Sequence, residues 1–281
     1  MVTVTFREFL WIFGLTLFAG LSTAIGGAIA FFHKAGKDSG TFLSASLGFS
    51  AGVMVYISLV ELMSHASEGM RAECGTFAGG ICAVAMFTLG LLVTFGIDRL
   101  IPEVENPHHV RATGEVDLAE HASSEDRAKL GRAGILFALA IGIHNFPEGL
   151  ATFAGGLSGA GIGIPIAVAI ALHNIPEGIA IGVPILYATG SRKKAFTYSL
   201  LSGLAEPAGA LVGFLILMPF LTPFILAALF ALVSGIMVYI SFDELLPMAE
   251  TYGKHHIALA GVLSGMVFMG LGLEISTWLS V

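Results

Sequence analysis

Charged residues are scarce in this 281-residue chain, where Asp, Glu, Lys and Arg together make up 12% of the sequence. Soluble domains carry about 25% charged residues, so this deficit excludes an ordinary soluble globular protein. Hydrophobic residues reach 56%, and the mean hydropathy is +0.87. An integral membrane protein follows, and the formal net charge of -7 says little because its charges are divided between the two sides of a membrane.

Cysteine is almost absent, with Cys74 and Cys82 as the two copies in the sequence. Two cysteines are too few for a disulfide framework or for a metal site built from thiolates. We therefore expect both cysteines to be ordinary small side chains.

Apolar runs long enough to cross a bilayer, which takes roughly 20 residues each, occur eight times. The first run follows Arg7 and has some features of a signal peptide, but it is too long for one and has a partner in the repeat described below. We therefore predict an all-α integral membrane protein with a single transmembrane domain over residues 1–281. The predicted spans are 9–32, 41–63, 75–97, 133–157, 161–187, 195–218, 223–248 and 257–278.

The distribution of Lys and Arg predicts the orientation. With eight spans, eleven of the thirteen basic residues fall on the side of the odd-numbered connections, and Arg7 and Arg71 fall on the other side. The positive-inside rule then places both termini outside, extracellular or periplasmic, in a multi-pass protein of the cell inner (cytoplasmic) membrane. Segment 98–132 becomes a flexible, acidic cytoplasmic loop. Its three histidines either gather metal or belong to a solvated linker; they are His108, His109 and His121.

A hexapeptide occurs twice inside the apolar runs, as His-Asn-Phe-Pro-Glu-Gly at 144–149 and His-Asn-Ile-Pro-Glu-Gly at 173–178. On a helix, the His, Asn and Glu of each copy share one face, because the Glu is four residues after the His and three residues after the Asn. The proline is predicted to kink the helix and to free backbone carbonyl groups. Such polar groups are costly at membrane depth unless they have partners. The donors suit Zn, Fe, Mn or Cd and argue against Cu(I). The candidate ligands are His144, Asn145, Glu148, His173, Asn174 and Glu177.

An internal repeat relates the first three spans to the last three. Gly52–Leu62 aligns with Gly235–Leu245 at an offset of 183 residues, and the glycines of span one align with those of span six at the same offset. At 182 residues, Leu89–Leu91 of span three aligns with Leu271–Leu273 of span eight. A shift of five spans inverts the second copy in the membrane. We therefore predict a 3+2+3 inverted repeat, an architecture of transporters that bind substrate near the bilayer midplane.

A further carboxylate, Glu206, stands in the middle of span six and is followed by Pro207. Its repeat counterpart is Thr23, so helix packing does not require an acid there. We therefore include Glu206 among the metal ligands. Other charged residues near the span ends either concentrate cations at the two mouths or are ordinary helix-end charges; they include Glu61, His65, Glu68, Asp243, Glu244, Glu250, His255 and His256.

The double motif, the segment Gly203–Pro207, the eight spans and the long loop after span three resemble the ZIP family of divalent-metal transporters, closest to its bacterial ZupT-type members. The resemblance implies uptake of zinc, and possible uptake of iron, manganese or cadmium, through a binuclear site between spans four, five and six. It assigns one metal to His144, Glu148, His173 and Glu177. It assigns the second to Asn145, Asn174 and Glu206, with Glu148 and Glu177 bridging. Many family members have an acidic residue or a second His at the positions of Asn174 or Gly178, which leaves the metal preference open.

Two other functions remain as alternatives. An intramembrane metallohydrolase would need a general base beside the first His, where Asn145 and Asn174 stand. A carrier for organic anions would need cationic groups in the central spans, which contain no Lys or Arg. We predict a transporter and no enzyme, with divalent metal ions and the lipid bilayer as partners, no cofactor and no nucleic acid. Whether the protein forms a homodimer stays open.

Overall fold

The computed structural model describes residues 4–32, 39–100 and 124–279. In these residues the backbone forms helices joined by short turns. The α-helices are α1 Phe6–Ile29, α2 Ser39–Tyr56, α3 Met63–Cys74, α4 Thr76–Leu100, α5 Ser124–Leu157, α6 Ala160–Thr189, α7 Arg192–Gly203, α8 Ala205–Val212, α9 Pro223–Ile240, α10 Leu246–Tyr252 and α11 His255–Leu279.

Several of these helices are joined end to end or extended by short π-helical segments. A π-helical segment, Ile57–Leu62, connects α2 to α3, and another, Ser241–Leu245, connects α9 to α10. A third, Gly213–Leu217, follows α8. The first two segments end at Leu62 and Leu245, the residues that the 183-residue offset equates. The same local irregularity therefore recurs in both copies of the repeat.

Local sequence explains where several helices begin and end. The Thr5 hydroxyl accepts a hydrogen bond from the Glu8 amide at 3.2 Å, and the Glu8 carboxylate accepts one from the Thr5 amide at 2.7 Å, which is a capping box at the start of α1. Helix α9 begins with Pro223 at its first position, where a missing N–H costs nothing. Helix α6 ends at Thr189 and is followed by Gly190, whose φ of 64° lies in the left-handed region that glycine adopts readily.

Seven of the described helical segments are long and apolar enough to cross a membrane, so this is a multi-pass membrane protein. They are Phe6–Phe32, Gly40–Cys74, Thr76–Arg99, Ala160–Thr189, Arg192–Phe220, Pro223–Tyr252 and His255–Ile275. Helix α5, with 34 residues, is a further long helix and carries the first hexapeptide.

Two predicted boundaries differ from the structure by more than two helical turns. The helix that begins as α2 continues through α3 to Cys74, whereas the apolar run ends at residue 63, because residues 63–74 are polar and hydropathy alone does not detect them. Helix α4 reaches Leu100 and α5 begins at Ser124, so the segment predicted as a flexible loop, 98–132, is helical at both ends. Glu125 and Asp126 suit the first turn of a helix, which the loop prediction overlooked. The loop histidines lie outside the described residues.

Helix α6 occupies the centre of the molecule. Of the residues in its apolar stretch 83% are buried, against 11% for α4 and 22% for α11. Helices α1, α2 and α5 pack around α6, while α4 packs on α9 and α11 packs on α2. The peripheral helices α4 and α11 therefore turn wide apolar faces outward, as lipid-facing helices do. The two hexapeptides lie on the central pair, α5 and α6.

Glycines set the closest helix contacts, and these contacts come in matched pairs. A Cβ on Gly20 would meet the carbonyl oxygen of Gly203, and a Cβ on Gly203 would meet that of Gly20. The two residues are related by the 183-residue offset, so α1 and α7 touch at equivalent points. Such small residues allow membrane helices to approach closely.

The outer helices follow the same rule with a different offset. Gly52 packs on the carbonyl of Val262, and its counterpart Gly235 packs on that of Phe87. This pairing equates Phe87 with Val262, a difference of 175 residues. The predicted offset of 182 between spans three and eight is therefore wrong by seven residues, two helical turns.

A second pair of contacts gives the same register. Gly90 packs on the carbonyl of Leu232, and Gly265 packs on that of Phe49. A Cβ on Gly272, which the predicted alignment equated with Gly90, would meet nothing within 4 Å. Three-residue matches in apolar helices occur readily, and backbone contacts identify the equivalent residues more reliably.

Candidate metal-binding site

The two hexapeptides lie in uninterrupted helices that cross the centre of the molecule. Pro147 is inside α5 and Pro176 is inside α6. Proline has no N–H, so the carbonyl groups four residues earlier, of Ile143 and Leu172, lose their helical donor. The polar residues of each motif therefore lie beside backbone that lacks one helical hydrogen bond, although neither helix is broken.

The helix that carries Glu206 is interrupted beside the site. Helix α7 ends at Gly203 and α8 begins at Ala205, which puts Glu206 in the first turn of α8. A Cβ on Gly149 would meet the Glu206 carbonyl, so this glycine lets α8 approach α5 closely.

Imidazole and carboxylate groups from both hexapeptides meet at one point. Nε2 of His173 lies 2.8 Å from Oε1 of Glu148, and Nε2 of His144 lies 3.0 Å from the same oxygen. Nε2 of His144 is also 3.6 Å from Oε1 of Glu177. All four side chains are buried, with at most 3% of any residue exposed. Glu148 therefore links the motif on α5 to the motif on α6.

The spacing of these groups suits a bound cation. His144, His173 and Glu177 each offer one ligand atom, and these atoms lie within 4.8 Å of one another. Ligands around zinc, about 2.0–2.2 Å from the ion, lie about 3.3–3.6 Å apart in a tetrahedral site. Small side-chain movements would bring the three donors to that distance. The arrangement can hold a metal ion of zinc's size.

Both asparagines are oriented by backbone carbonyl groups. Nδ2 of Asn145 donates to the Ser202 carbonyl at 3.1 Å, and Nδ2 of Asn174 donates to the Ala19 carbonyl at 3.0 Å. Asn174 also donates to the Glu206 carboxylate, which joins α8 to the site. With their amide nitrogens engaged, the carboxamides keep their Oδ1 atoms as acceptors.

Many polar atoms of the site are buried without a hydrogen bond to any described residue. A buried group left in this state costs about 1–3 kcal/mol, and more when it is charged. A cation with its bound water can supply the missing partners of these nitrogen and oxygen atoms. The atoms are His144 Nδ1, Asn145 Oδ1, Glu148 Oε2, His173 Nδ1, Asn174 Oδ1, Glu177 Oε2 and Glu206 Oε2.

The structure thus brings the seven predicted residues into one buried region. Glu206 lies within electrostatic range of Glu148 and Glu177, in addition to its bond with Asn174. Asn145 is adjacent to His144 in the same helix and is fully buried. The predicted ligand set is spatially connected, whether or not each member contacts an ion.

One residue of the site was not predicted. The Ser50 hydroxyl, on α2, donates to the His173 carbonyl at 3.3 Å and to Oε1 of Glu177 at 3.4 Å. Its repeat counterpart is Val233. Glu206 was identified because its repeat counterpart, Thr23, lacks the carboxylate, and Ser50 is marked in the same way because Val233 lacks the hydroxyl.

The charges near the span ends divide into two groups. Glu61 lies 3.2 Å from His65, and Glu250 lies 2.6 Å from His255, and both pairs are at least partly exposed. Glu244 is instead 6% exposed and interacts electrostatically with His144 and Glu177. Glu244 therefore belongs to the surroundings of the site.

Comparison with known proteins gives a family match and close relatives. Residues 98–272 match the family model described as the ZIP zinc transporter. The chain is 54% identical over 265 residues to a zinc transporter ZupT of Nitratidesulfovibrio vulgaris, covering 93% of this chain and 95% of that protein. It is 56% identical over 263 residues to a zinc transporter ZupT of Akkermansia muciniphila, covering 93% of this chain and 96% of that protein. It is 54% identical over 261 residues to a zinc transporter ZupT of Streptococcus mutans, again covering 93% of this chain and 96% of that protein.

Proposed function

Because this chain belongs to the ZIP zinc transporter family, we propose that it carries zinc into the cytoplasm through the buried site on α5, α6 and α8. It is a transporter and not an enzyme. The observation that carries the proposed route is the shared oxygen of Glu148, which lies 2.8 Å from His173 and 3.0 Å from His144. Ligands from both hexapeptides converge there, so one ion can bind to both helices at once.

The donor set supports two neighbouring ions. One zinc would be held by His144, Glu148, His173 and Glu177. A second would be held by Asn145, Asn174 and Glu206, with Glu148 and Glu177 as bridging ligands. Buried carboxylates repel one another and are costly without a counter-ion, and divalent cations remove both costs. His144, Glu148, His173 and Glu177 are linked by short contacts, as are Asn174 and Glu206.

The ligand types extend the proposal to other metals. Imidazole, carboxylate and carboxamide groups also suit Fe²⁺, Mn²⁺ and Cd²⁺, so we include these ions as further substrates. A neutral carboxamide at Asn174 adds no charge, so it attracts a divalent cation less strongly than a carboxylate would. Competition between metals in one uptake assay would rank them.

For the membrane arrangement we propose eight spans, both termini outside, in the cytoplasmic (inner) membrane. The Lys and Arg distribution supports the orientation. The matched glycine contacts of Gly20 with Gly203 support the 3+2+3 inverted repeat, since a pseudo-twofold axis between the copies gives such reciprocal pairs. Alternating access would then move one helix group against the other around the site.

The test is radiolabelled zinc uptake into proteoliposomes that contain the purified protein. Glu148→Ala and Glu177→Ala should reduce uptake to the level of empty liposomes. Glu250→Gln is the matched control, because that carboxylate is exposed and pairs with His255 at a helix end. Uptake that persists in the Glu148 and Glu177 variants would refute this route, and loss in the control would show a general defect. Repeating the assay with Fe and Mn, with and without a proton gradient, addresses selectivity and coupling.

A further inference from the structure

The frame around the site is nearly symmetric. Asn174 donates to the Ala19 carbonyl and Asn145 donates to the Ser202 carbonyl, and residues 19 and 202 are repeat counterparts at the 183-residue offset. Each asparagine therefore donates to the equivalent carbonyl group of the helix beside it, which is α1 for Asn174 and α7 for Asn145. The two sides of the site are built on the same plan.

The glycine of each motif follows the same plan. A Cβ on Gly178 would meet the carbonyl of Thr23, and a Cβ on Gly149 would meet the carbonyl of Glu206. Residues 23 and 206 are again counterparts. Thr23 therefore occupies, toward α6, the backbone position that Glu206 occupies toward α5.

The side chains at these two positions break the symmetry. Glu206 is bound by Asn174, while the Thr23 hydroxyl is fully buried and has no hydrogen bond to any described residue. A threonine or serine in a helix usually donates to a carbonyl of its own preceding turn. Thr16 in the same helix does so, with the Phe13 carbonyl at 2.9 Å, and Ser22 does so with the Ala19 carbonyl at 2.6 Å. Thr23 does not, which leaves its oxygen available.

We infer that Thr23 is a further metal-facing residue, whose hydroxyl supplies an oxygen ligand, directly or through water, on the side of the site opposite Glu206. This inference rests on the proposed function. A hydroxyl adds a hard oxygen donor without adding a further buried carboxylate. Extra oxygen ligands suit Mn²⁺, whereas zinc is commonly held by four ligands that include nitrogen donors. Thr23 thus acts on binding strength and on the preference between these ions.

The first test replaces the hydroxyl without changing the shape. Thr23→Val should raise the Kd of the detergent-purified protein for Mn²⁺ about two- to tenfold, the equivalent of one hydrogen-bonding group, with a smaller rise for Zn²⁺. Thr23→Ser should restore the affinity that Val removes. Thr16→Val is the matched control, because that buried hydroxyl is already bound within α1. Equal Kd values for Thr23→Val and wild type would overturn the inference.

The second test exchanges the two symmetric residues. Glu206→Thr should lose the second metal, measured as the zinc:protein ratio of the purified protein and as zinc uptake. Thr23→Glu combined with Glu206→Thr should regain metal and uptake above the single variant, because the frame around both positions is the same. A double variant that accumulates normally but binds no more than Glu206→Thr would overturn the inference. If the double variant does not accumulate, the Val series decides.

These outcomes separate the two levels of the proposal. Wild-type protein that takes up no zinc would refute the proposed function. Wild-type uptake together with an unaffected Thr23→Val variant would refute the role of Thr23 alone.

Discussion

His173 on α6 and Glu148 on α5 form the shortest contact between the two hexapeptides, with 2.8 Å between Nε2 and Oε1. The residues are 25 positions apart, and neither motif can make this contact alone. The same oxygen also lies 3.0 Å from His144 of its own motif. Because both imidazoles share it, Glu148 couples the two halves of the site.

Glu148→Gln is expected to have the largest effect of any conservative change in the site. The amide keeps the size of the side chain but removes the charge that faces two imidazoles and the cation. A charged hydrogen-bonding group contributes about 1.5–3 kcal/mol, so zinc affinity should fall roughly ten- to hundredfold. Isothermal titration of the purified variant with zinc measures this. Glu250→Gln should match wild type, and a Glu148→Gln variant that does likewise would contradict the central place of this carboxylate.

Asn174→Asp is expected to make the stability of the protein depend more strongly on metal. The new carboxylate oxygen would face the Ala19 carbonyl and the Glu206 carboxylate, to both of which Asn174 now donates. Loss of these bonds should lower the free energy of unfolding of the metal-free protein by about 1–3 kcal/mol. Bound zinc should offset the repulsion, since a cation between the carboxylates favours their charged forms.

The measurement is the Tm of wild type and Asn174→Asp in chelator and in excess zinc. The difference between the two conditions should be larger for the variant. An equal difference, or a variant that is more stable than wild type in chelator, would show that the hydrogen bonds of the Asn174 amide do not stabilise the metal-free protein.

Gly203→Ala is expected to push α7 away from α1. Its Cβ would collide with the Gly20 carbonyl, which is backbone and cannot rotate away. Overpacking of this kind costs about 1–3 kcal/mol, and a helix shift next to Glu206 should lower zinc uptake as well. Gly14→Ala is the control in α1, because a Cβ there meets nothing within 4 Å. Thermal unfolding of both variants should separate them, and equal stability would contradict the close contact.

The polar groups of the candidate site can be recognised in the sequence more easily than the register of the outer helices. The two hexapeptides and Glu206 are polar groups in an apolar chain, and such groups stand out because burying them is costly. Ser50 did not stand out, since a serine in a membrane helix is common and its role depends on reaching Glu177 from another helix. The offset between spans three and eight was wrong because Leu and Gly recur throughout these helices. The contacts of Gly90 with the Leu232 carbonyl and of Gly265 with the Phe49 carbonyl identify these two glycines as counterparts.

Ser50→Ala is expected to weaken zinc binding without unfolding the protein. The hydroxyl is the contact through which α2 reaches the Glu177 carboxylate, and its loss leaves that oxygen freer to rotate. At 3.4 Å this hydrogen bond is long and weak, so its loss should raise the apparent KM for zinc about two- to tenfold, with little change in the amount of folded protein. Ser234→Ala is the matched control, because the Ser234 hydroxyl is equally buried and donates at 2.7 Å to the Ser58 carbonyl rather than to a site carboxylate. Zinc uptake measured across a range of concentrations should show a raised KM for Ser50→Ala and none for Ser234→Ala. A shift of the same size in both would mean that helix packing, and not the orientation of Glu177, explains the effect.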